Sequence, residues 1–515
     1  MADVVYRGNL KASSFPLLSE LFGRSIIVKG QDQNYIQPLA AKEVLDAVTG
    51  VPQIYYCHNV LPTNEGYKSV GYVEFTAPAF PSTSTFGDVN VIRSGDGNSC
   101  LMTVDSVGNI YLMQVGSSSW AAPTTGIPAA TIAGSRVTIA YVSGISYIYF
   151  AGVGCYIYDF GTDAFVAVTL VGLTPANING VVGNSGYLIA YDDESIAWSS
   201  TVDPTQFTPS LTTGAGTGSV EGLRGAIVTI EEVYGGLVVF GDDNAVAATY
   251  SGNPRYPYNF TAIQGCGGLQ SVSYTTSDTG SGTIYAYTKS GLQEITLRSA
   301  KVVFAELTDF LSGSLFEDYD EITDTLSVTD ASSSVVVKKV ALIGDRYAVI
   351  SYGIGELTHA MVYDLALKQW GKLKIPHTEC FEFIEYPTAV TELPKRNIAF
   401  IGTGASINIC NTDIGAVESN GVMMVGKFQF ARSRFLQLQG VEFENVNQGD
   451  TFTLLNLPSL DGKNFEPALS GYLTHSQGKL RVYRFHNTAL NHTLVAKGAF
   501  TAISIVLTFN VAGGR

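Results

Sequence analysis

Three runs of carboxylates are the first candidates for chemistry in this 515-residue sequence: Asp192-Asp193-Glu194, Asp242-Asp243 and Glu317-Asp318-Tyr319-Asp320-Glu321. Paired carboxylates cleave glycosidic bonds when they flank one bond at a fixed separation. Here each run falls between apolar, strand-like segments, so the sequence predicts solvated turn charges. The spacing of an EF-hand calcium loop is missing. Of the six histidines, four follow residue 370, and His475, His486 and His492 lie in a basic C-terminal stretch. None stands at ligand or triad spacing from Cys or Asp, so surface histidines are predicted. Cysteines 57, 100, 155, 266, 380 and 410 are scattered singly, without a CxxC or Cys/His pattern that would hold zinc. Cys155 and Cys410 sit in apolar runs and read as small buried hydrophobes. Ser459-Leu-Asp-Gly-Lys-Asn-Phe465 is a near miss to the Asp-box turn and occurs once. Gly214-Ala-Gly-Thr-Gly218 precedes no lysine-bearing helix, so it is no phosphate loop. The sequence therefore assigns no catalytic, cofactor-binding or metal-ligating residue, and no enzyme activity is expected.

Composition bounds the rest. Apolar residues make up 46% and charged residues 15%, enough for a sizeable core and against disorder. The 54 glycines, 28 tyrosines and 26 phenylalanines imply many strands and tight turns. A net charge of -15 disfavours tight binding of nucleic acid. The charge is uneven: residues 51–420 carry 16 Lys and Arg against 35 Asp and Glu, and residues 421–515 carry 9 against 5. Such asymmetry predicts separate domains with different neighbours. No signal peptide is evident at Met-Ala-Asp-Val-Val. The uncharged stretch from Val137 to Tyr158 is long enough to span a bilayer, but Ser143, Gly144, Gly152 and Gly154 break it. Two buried strands joined by a turn are expected there, and no membrane span.

The elements that would position any site are almost all strands. One helix is expected, over 38–50, where Ala40, Ala41, Val44, Leu45 and Val48 recur at helical spacing before Gly50. From residue 51 short apolar strands recur every 40 to 60 residues or so: Ile110–Met113, Tyr147–Phe150, Tyr187–Ala190, Leu237–Phe240, Thr283–Tyr287, Tyr347–Ile350 and Ile398–Ile401. Cys155–Asp159 and Met361–Asp364 read as strands that follow two of them. A repeat of that length holding several strands predicts a β-propeller, because radially packed sheets bury each other's faces. Six or seven blades are expected. A set of β-sandwiches would use the same strands and turns. Beyond about residue 420 the pattern alternates, as in Leu436-Gln-Leu-Gln439 and Val441-Glu-Phe-Glu444, with a hairpin signal at Asp461-Gly462 and a strand from Thr501 to Val511. The expected fold is all-β: an N-terminal extension over 1–50, a β-propeller over 51–410 and an antiparallel β-sandwich over 411–515.

One family resemblance is carried by the middle of the chain. Asn184-Ser-Gly-Tyr-Leu-Ile-Ala-Tyr-Asp192 leads to Ile196-Ala-Trp-Ser-Ser200 and Asp203-Pro-Thr-Gln-Phe-Thr-Pro209. Leu223-Arg-Gly225, Gly235-Gly-Leu-Val-Val-Phe-Gly-Asp-Asp-Asn-Ala-Val246, Asn253–Phe260, Gly265–Leu269 and Tyr287–Leu292 follow. Together these resemble the propeller region of tail hub or nozzle proteins of short-tailed bacteriophages. Asn59–Thr63 and Ser69–Tyr72 are similar to the lead-in to the first blade, and Gly426-Lys-Phe428 and Ser459–Lys463 to the C-terminal sandwich of that family. The resemblance covers about 59–300, and 420–515 more loosely. It implies a virion protein assembled in the host cytoplasm as a hexameric ring below the head–tail adaptor. It further implies contact with fibres or spikes, and DNA passing through without tight binding. The acidic 51–420 region suits a conduit wall, since negative charge lowers phosphate affinity. Arg432, Arg434, Arg481 and Arg484 would give the C-terminal part an acidic neighbour to dock on. Another phage tail protein, or a glycan-binding or glycan-cleaving propeller, uses the same features.

Overall fold

The computed structural model describes residues 3–9, 26–27, 54–63, 66–76, 87–114, 120–253, 256–269, 275–278, 282–303, 315–330, 335–344, 346–367, 369–385, 395–402, 406–411, 420–429, 436–445, 452–459, 468–477, 480–489 and 491–511. The helix expected over 38–50, the turn at Asp461-Gly462, and Arg432 and Arg434 lie outside these residues.

Apolar runs of five or six residues, cut by glycine turns, fold here as antiparallel meanders. Val137–Val142 and Ile145–Phe150 show how. The loop between them is Ser143-Gly144, both at positive φ (52° and 84°), as a two-residue hairpin turn requires. Gly154–Asp159 and Ala164–Val168 complete a four-stranded sheet. The uncharged stretch from Val137 to Tyr158 therefore holds three strands where two were expected. No helix among the described residues is long and apolar enough to cross a membrane.

Among the described residues, meanders of three or four strands follow one another along the chain and are numbered as blades in chain order; the sixth is part of a larger sheet. Blade one is Asn90–Arg93, Ser99–Val104 and Ile110–Gln114, with Ala121 bridged to Leu112 in place of a fourth strand. Blade two is the sheet just described. Blade three is Gly180–Asn184, Tyr187–Tyr191, Ser195–Trp198 and Gly216–Ser219. Blade four is Ile227–Val233, Gly236–Gly241, Ala245–Tyr250 and Tyr258–Ala262. Blade five is Thr275–Asp278, Thr283–Thr288, Gly291–Ile295 and Ala300–Val302. Blade six is Val335–Ile343, Tyr347–Ile354, Leu357–Asp364 and Gln369–His377. Blade seven is Glu379–Glu385, Lys395–Ile401 and Ser406–Asn411, closed by Gly71–Thr76 from the far end of the chain.

The cores lie between blades. Ile92, Met102 and Ile110 of blade one pack with Ile148, Phe150 and Phe165 of blade two. Clusters of the same kind join blades two and three, three and four, four and five, and six and seven. The first strand of blade six lies against blade five. The ring closes where Leu101, Tyr111 and Met113 of blade one meet Phe381, Phe383 and Ile401 of blade seven. Each fully buried Leu, Ile or Phe contributes about 1.5–3 kcal/mol, so the interblade clusters dominate the stability of the ring. The chain is thus an all-β protein with a β-propeller.

The 54–76 segment, expected to open the propeller, pairs with strands of both the propeller and the C-terminal part. Ile54–His58 pairs with Gly421–Gln429, and Val60–Thr63 and Gly66–Ser69 bridge blade six to the C-terminal strands. The C-terminal unit has two sheets. One holds Gly421–Gln429, Asn491–Gly498 and Phe452–Ser459. The other holds Thr501–Val511, Leu436–Asn445, Leu480–Ala489 and Tyr472–Gln477, with Asp3–Asn9 paired to Thr501–Val511. Phe452 of the first packs 5.9 Å from Tyr483 of the second. A further hairpin, Leu315–Asp320 and Thr325–Asp330, is inserted between blades five and six.

Candidate functional site

The carboxylate runs go to three different places. Asp192 folds back on its own turn: its carboxylate accepts from the N–H of Glu194 (2.8 Å) and of Ser195 (2.6 Å) and from the Ser195 hydroxyl (2.9 Å). Asp193 accepts from the Asn179 amide at 2.7 Å. Asp242 accepts from the Ala226 N–H at 3.0 Å, and Asp243 pairs with Lys289 at 2.8 Å, both exposed. These are turn and surface roles, as expected. The third run departs from expectation. Glu317 to Asp320 belong to a strand, and only Glu321 begins the turn.

That third run builds a polar cluster between blade six and the C-terminal unit. Tyr319 is fully buried and packs with Val422, Met424, Leu455, Leu457 and Val495 of the C-terminal unit. Its hydroxyl donates to Asp324 at 2.9 Å. On either side the hairpin presents carboxylates to lysines and histidines. Asp318 meets the Lys374 ammonium at 2.6 Å and His359 Nε2 at 3.7 Å. Glu321 accepts from His58 Nε2 at 2.7 Å. Lys497 donates to Asp324 at 2.9 Å and to the Glu321 carbonyl. Lys374 also donates to the Tyr319 carbonyl at 2.9 Å. His359 stacks on Tyr352, with ring centroids 5.6 Å apart, and the Lys372 ammonium lies 5.9 Å from the same ring centroid.

Burial sets the protonation of this cluster. It pushes His359 down to about 3, helped by the charge of Lys372 and opposed by Asp318. Burial also lowers His58, against the raising effect of Glu321. Burial alone would raise Asp318, but the nearby His359 ring and the close Lys374 ammonium hold it well below the usual carboxylate range. The His58 hydrogen bond lowers Glu321. Both histidines are therefore neutral at pH 7 and both carboxylates ionised.

The expectation of surface histidines is corrected for the described side chains; those of His475 and His486 lie outside them. His58, His359, His377 and His492 are all buried, because each ring finds a polar partner inside. His377 Nε2 lies 2.8 Å from the Ser351 hydroxyl, and its Nδ1 lies 2.8 Å from the Ile375 carbonyl. That is the spacing of a nucleophile and its base, with a carbonyl in the orienting position. Both side chains are about 2% exposed, so no substrate reaches the hydroxyl in this state. His492 Nδ1 lies 3.1 Å from the Asn456 amide. Spacing in sequence carried no signal for either pair, since 26 and 36 residues separate the partners. Cys155 and Cys410 are buried as expected, and burial pushes both thiols up to about 12. No group of three or more His, Cys, Asp or Glu among the described residues could hold a metal ion.

One surface cleft of about 350 Å³ opens beside the outer strand of blade three. Trp198, Pro209, Leu211 and Tyr256 line it, with Ser210 and Thr217. The glycine-rich 214–218 stretch makes one wall. Trp198 donates to the Gly214 carbonyl at 2.9 Å, and a Cβ on Gly216 would stand 2.6 Å from the indole ring. Tyr256 is 61% exposed and Leu211 85%, so the cleft offers an aromatic and an apolar wall to solvent.

Comparison with known protein families and with curated proteins finds no match. Among solved structures, the WD40 β-propeller domain of Doa1 is similar over 67% of this chain and 98% of its own, at 10% identity and a TM-score of 0.37. YCF48 bound to D1 peptide is similar over 69% and 98%, at 11% identity and 0.37. YCF48 from Cyanidioschyzon merolae is similar over 65% and 98%, at 10% and 0.38.

Proposed function

We propose that this protein is a non-enzymatic structural component of a bacteriophage tail, a hub or nozzle. It forms part of the conduit for genome ejection and a platform for neighbouring tail proteins. In this reading it assembles as a hexameric ring, contacts the head–tail adaptor and fibres or spikes, and lets DNA pass without tight binding. The observation that carries the reading is where the family resemblance falls: its residues between Asn184 and Leu292 are the strands and turns of blades three to five. The charge supports it. The 51–420 region is strongly acidic and repels phosphate, while the C-terminal stretch is mildly basic. Electron microscopy of the purified protein and of virions carrying it tests the proposal. A six-fold ring with an axial opening at the base of a short tail supports it. A protein absent from virions refutes it.

The cleft beside blade three favours a second reading, glycan binding in host attachment. Aromatic walls with nearby hydroxyls are the usual means of holding a sugar ring. A glycan array probed with the wild type and Tyr256→Ala tests this. Binding that the substitution abolishes supports attachment; no binding on any glycan removes it.

A further inference from the structure

We propose that the 315–330 hairpin is an acid-opened latch, whose carboxylates fasten the C-terminal unit to blade six. The proposal is independent of the tail reading. The two strands of the hairpin form a two-stranded sheet of their own. Such a hairpin is marginal by itself in water, so its anchors decide whether it stays closed. The apolar anchor is Tyr319. The others are titratable and come from three directions. Blade six contributes His359 and Lys374, with Tyr352 and Lys372 packed behind His359, and the Ile54–His58 strand contributes His58, with Cys57 beside Lys372. The C-terminal unit contributes Lys497. The hairpin supplies Asp318, Asp320, Glu321 and Asp324. One hairpin thus holds a propeller blade with Asp318 and the C-terminal sheet with Asp324, while Glu321 caps a fully buried histidine.

The sign of the pH response follows. In the closed state His58 and His359 are depressed below their ordinary 6.5. Opening returns them to water, where they take up protons near that value. The stability they lend to the closed state is complete above about pH 6.5 and declines as pH falls towards their closed-state values. Glu321 and Asp318 are also depressed, so their contribution is lost further down, below their ordinary range near 4. Between about pH 6.5 and 4.5 the histidines govern. Each proton taken up on opening changes the equilibrium about tenfold per pH unit, and two change it about a hundredfold.

Hydrogen–deuterium exchange of the full chain at pH 7.5, 6.0 and 5.0, corrected for intrinsic exchange, tests the latch. Protection of 315–330 should fall between ten- and a hundredfold per pH unit below pH 6, while 187–191 and 237–240 stay protected. His58→Gln with His359→Gln should flatten that dependence above pH 4.5. Should the double variant fail to fold, Glu321→Gln at pH 7.5 gives the second reading: faster exchange confined to the hairpin supports the latch, and unchanged exchange overturns it. Constant hairpin protection from pH 7.5 to 5.0 also overturns it, as does loss of protection in hairpin and blades together.

Discussion

At the scale of the residue, the decisive finding is how many ionisable groups are used up inside. The Ser351–His377 pair has the geometry of an activated nucleophile, yet both partners are sealed. Its role is cohesive, and removing the ring strands a buried hydroxyl. His377→Ala should cost roughly 2–4 kcal/mol of stability, measured by urea unfolding. The thiols offer a second check. Burial holds Cys57, Cys100, Cys155, Cys266 and Cys410 all up at about 12, so access decides which reacts, and only Cys266 is not fully buried among them. A disulfide reagent at pH 8 should label the other four only after denaturant is added, with Cys266, half-buried, the first to react. The burial of Cys155 and Cys410 was legible because each sits in an apolar strand run. The burial of the histidines was not, because their partners come from other strands: Glu321 lies 263 residues from His58.

At the scale of the element, short apolar strands flanked by glycine turns were readable from period and turn chemistry alone. Tyr147–Phe150, Tyr187–Ala190, Leu237–Phe240, Thr283–Tyr287, Tyr347–Ile350 and Ile398–Ile401 each fall in the second strand of a blade, and Ile110–Met113 in the third strand of blade one. The Glu317–Glu321 run was misread because four carboxylates around a single tyrosine look like a turn. Tyr319 faces a core there, and one apolar position gives no alternation to read. The seam of blade seven supplies a quantitative test. Ile407 is about 1% exposed and lies opposite Phe75 across the closing pair, whereas Val166 on blade two is 46% exposed. Ile407→Ala should destabilise by about 2–4 kcal/mol and Val166→Ala by no more than about 0.5, compared by chemical denaturation. Beside the cleft, Gly216→Val should displace Trp198, seen as a red shift of its fluorescence, because the added carbons would overlap the indole.

At the scale of the whole molecule, the ring and the C-terminal unit are not two beads on a string. Val60–Thr63 and Gly66–Ser69 continue the sheet of blade six into the strands of the C-terminal unit. The three tryptophans, at 120, 198 and 370, all lie in the propeller, so their fluorescence reports on it alone. Circular dichroism reports on both parts. At pH 7.5 the two signals should unfold at the same temperature; a separate second step would show that the shared sheet does not couple them. Below pH 6, where the hairpin anchors weaken, the midpoints should move apart. The charge split legible in the sequence belongs to this scale too, but the path of the sheet does not, because nothing local in 54–76 says which strands it will join.

The closing strand of blade seven also bears on how the chain is made. Gly71–Thr76 leaves the ribosome early and has nothing to pair with until Ser406–Asn411 is synthesised. At common translation rates of about 5–20 residues per second, that interval is on the order of tens of seconds. During it the 71–76 edge is exposed to every other nascent chain. A messenger cut short before residue 411 would release a propeller with a permanent gap, and a neighbouring copy's own early strand is the segment best shaped to fill it.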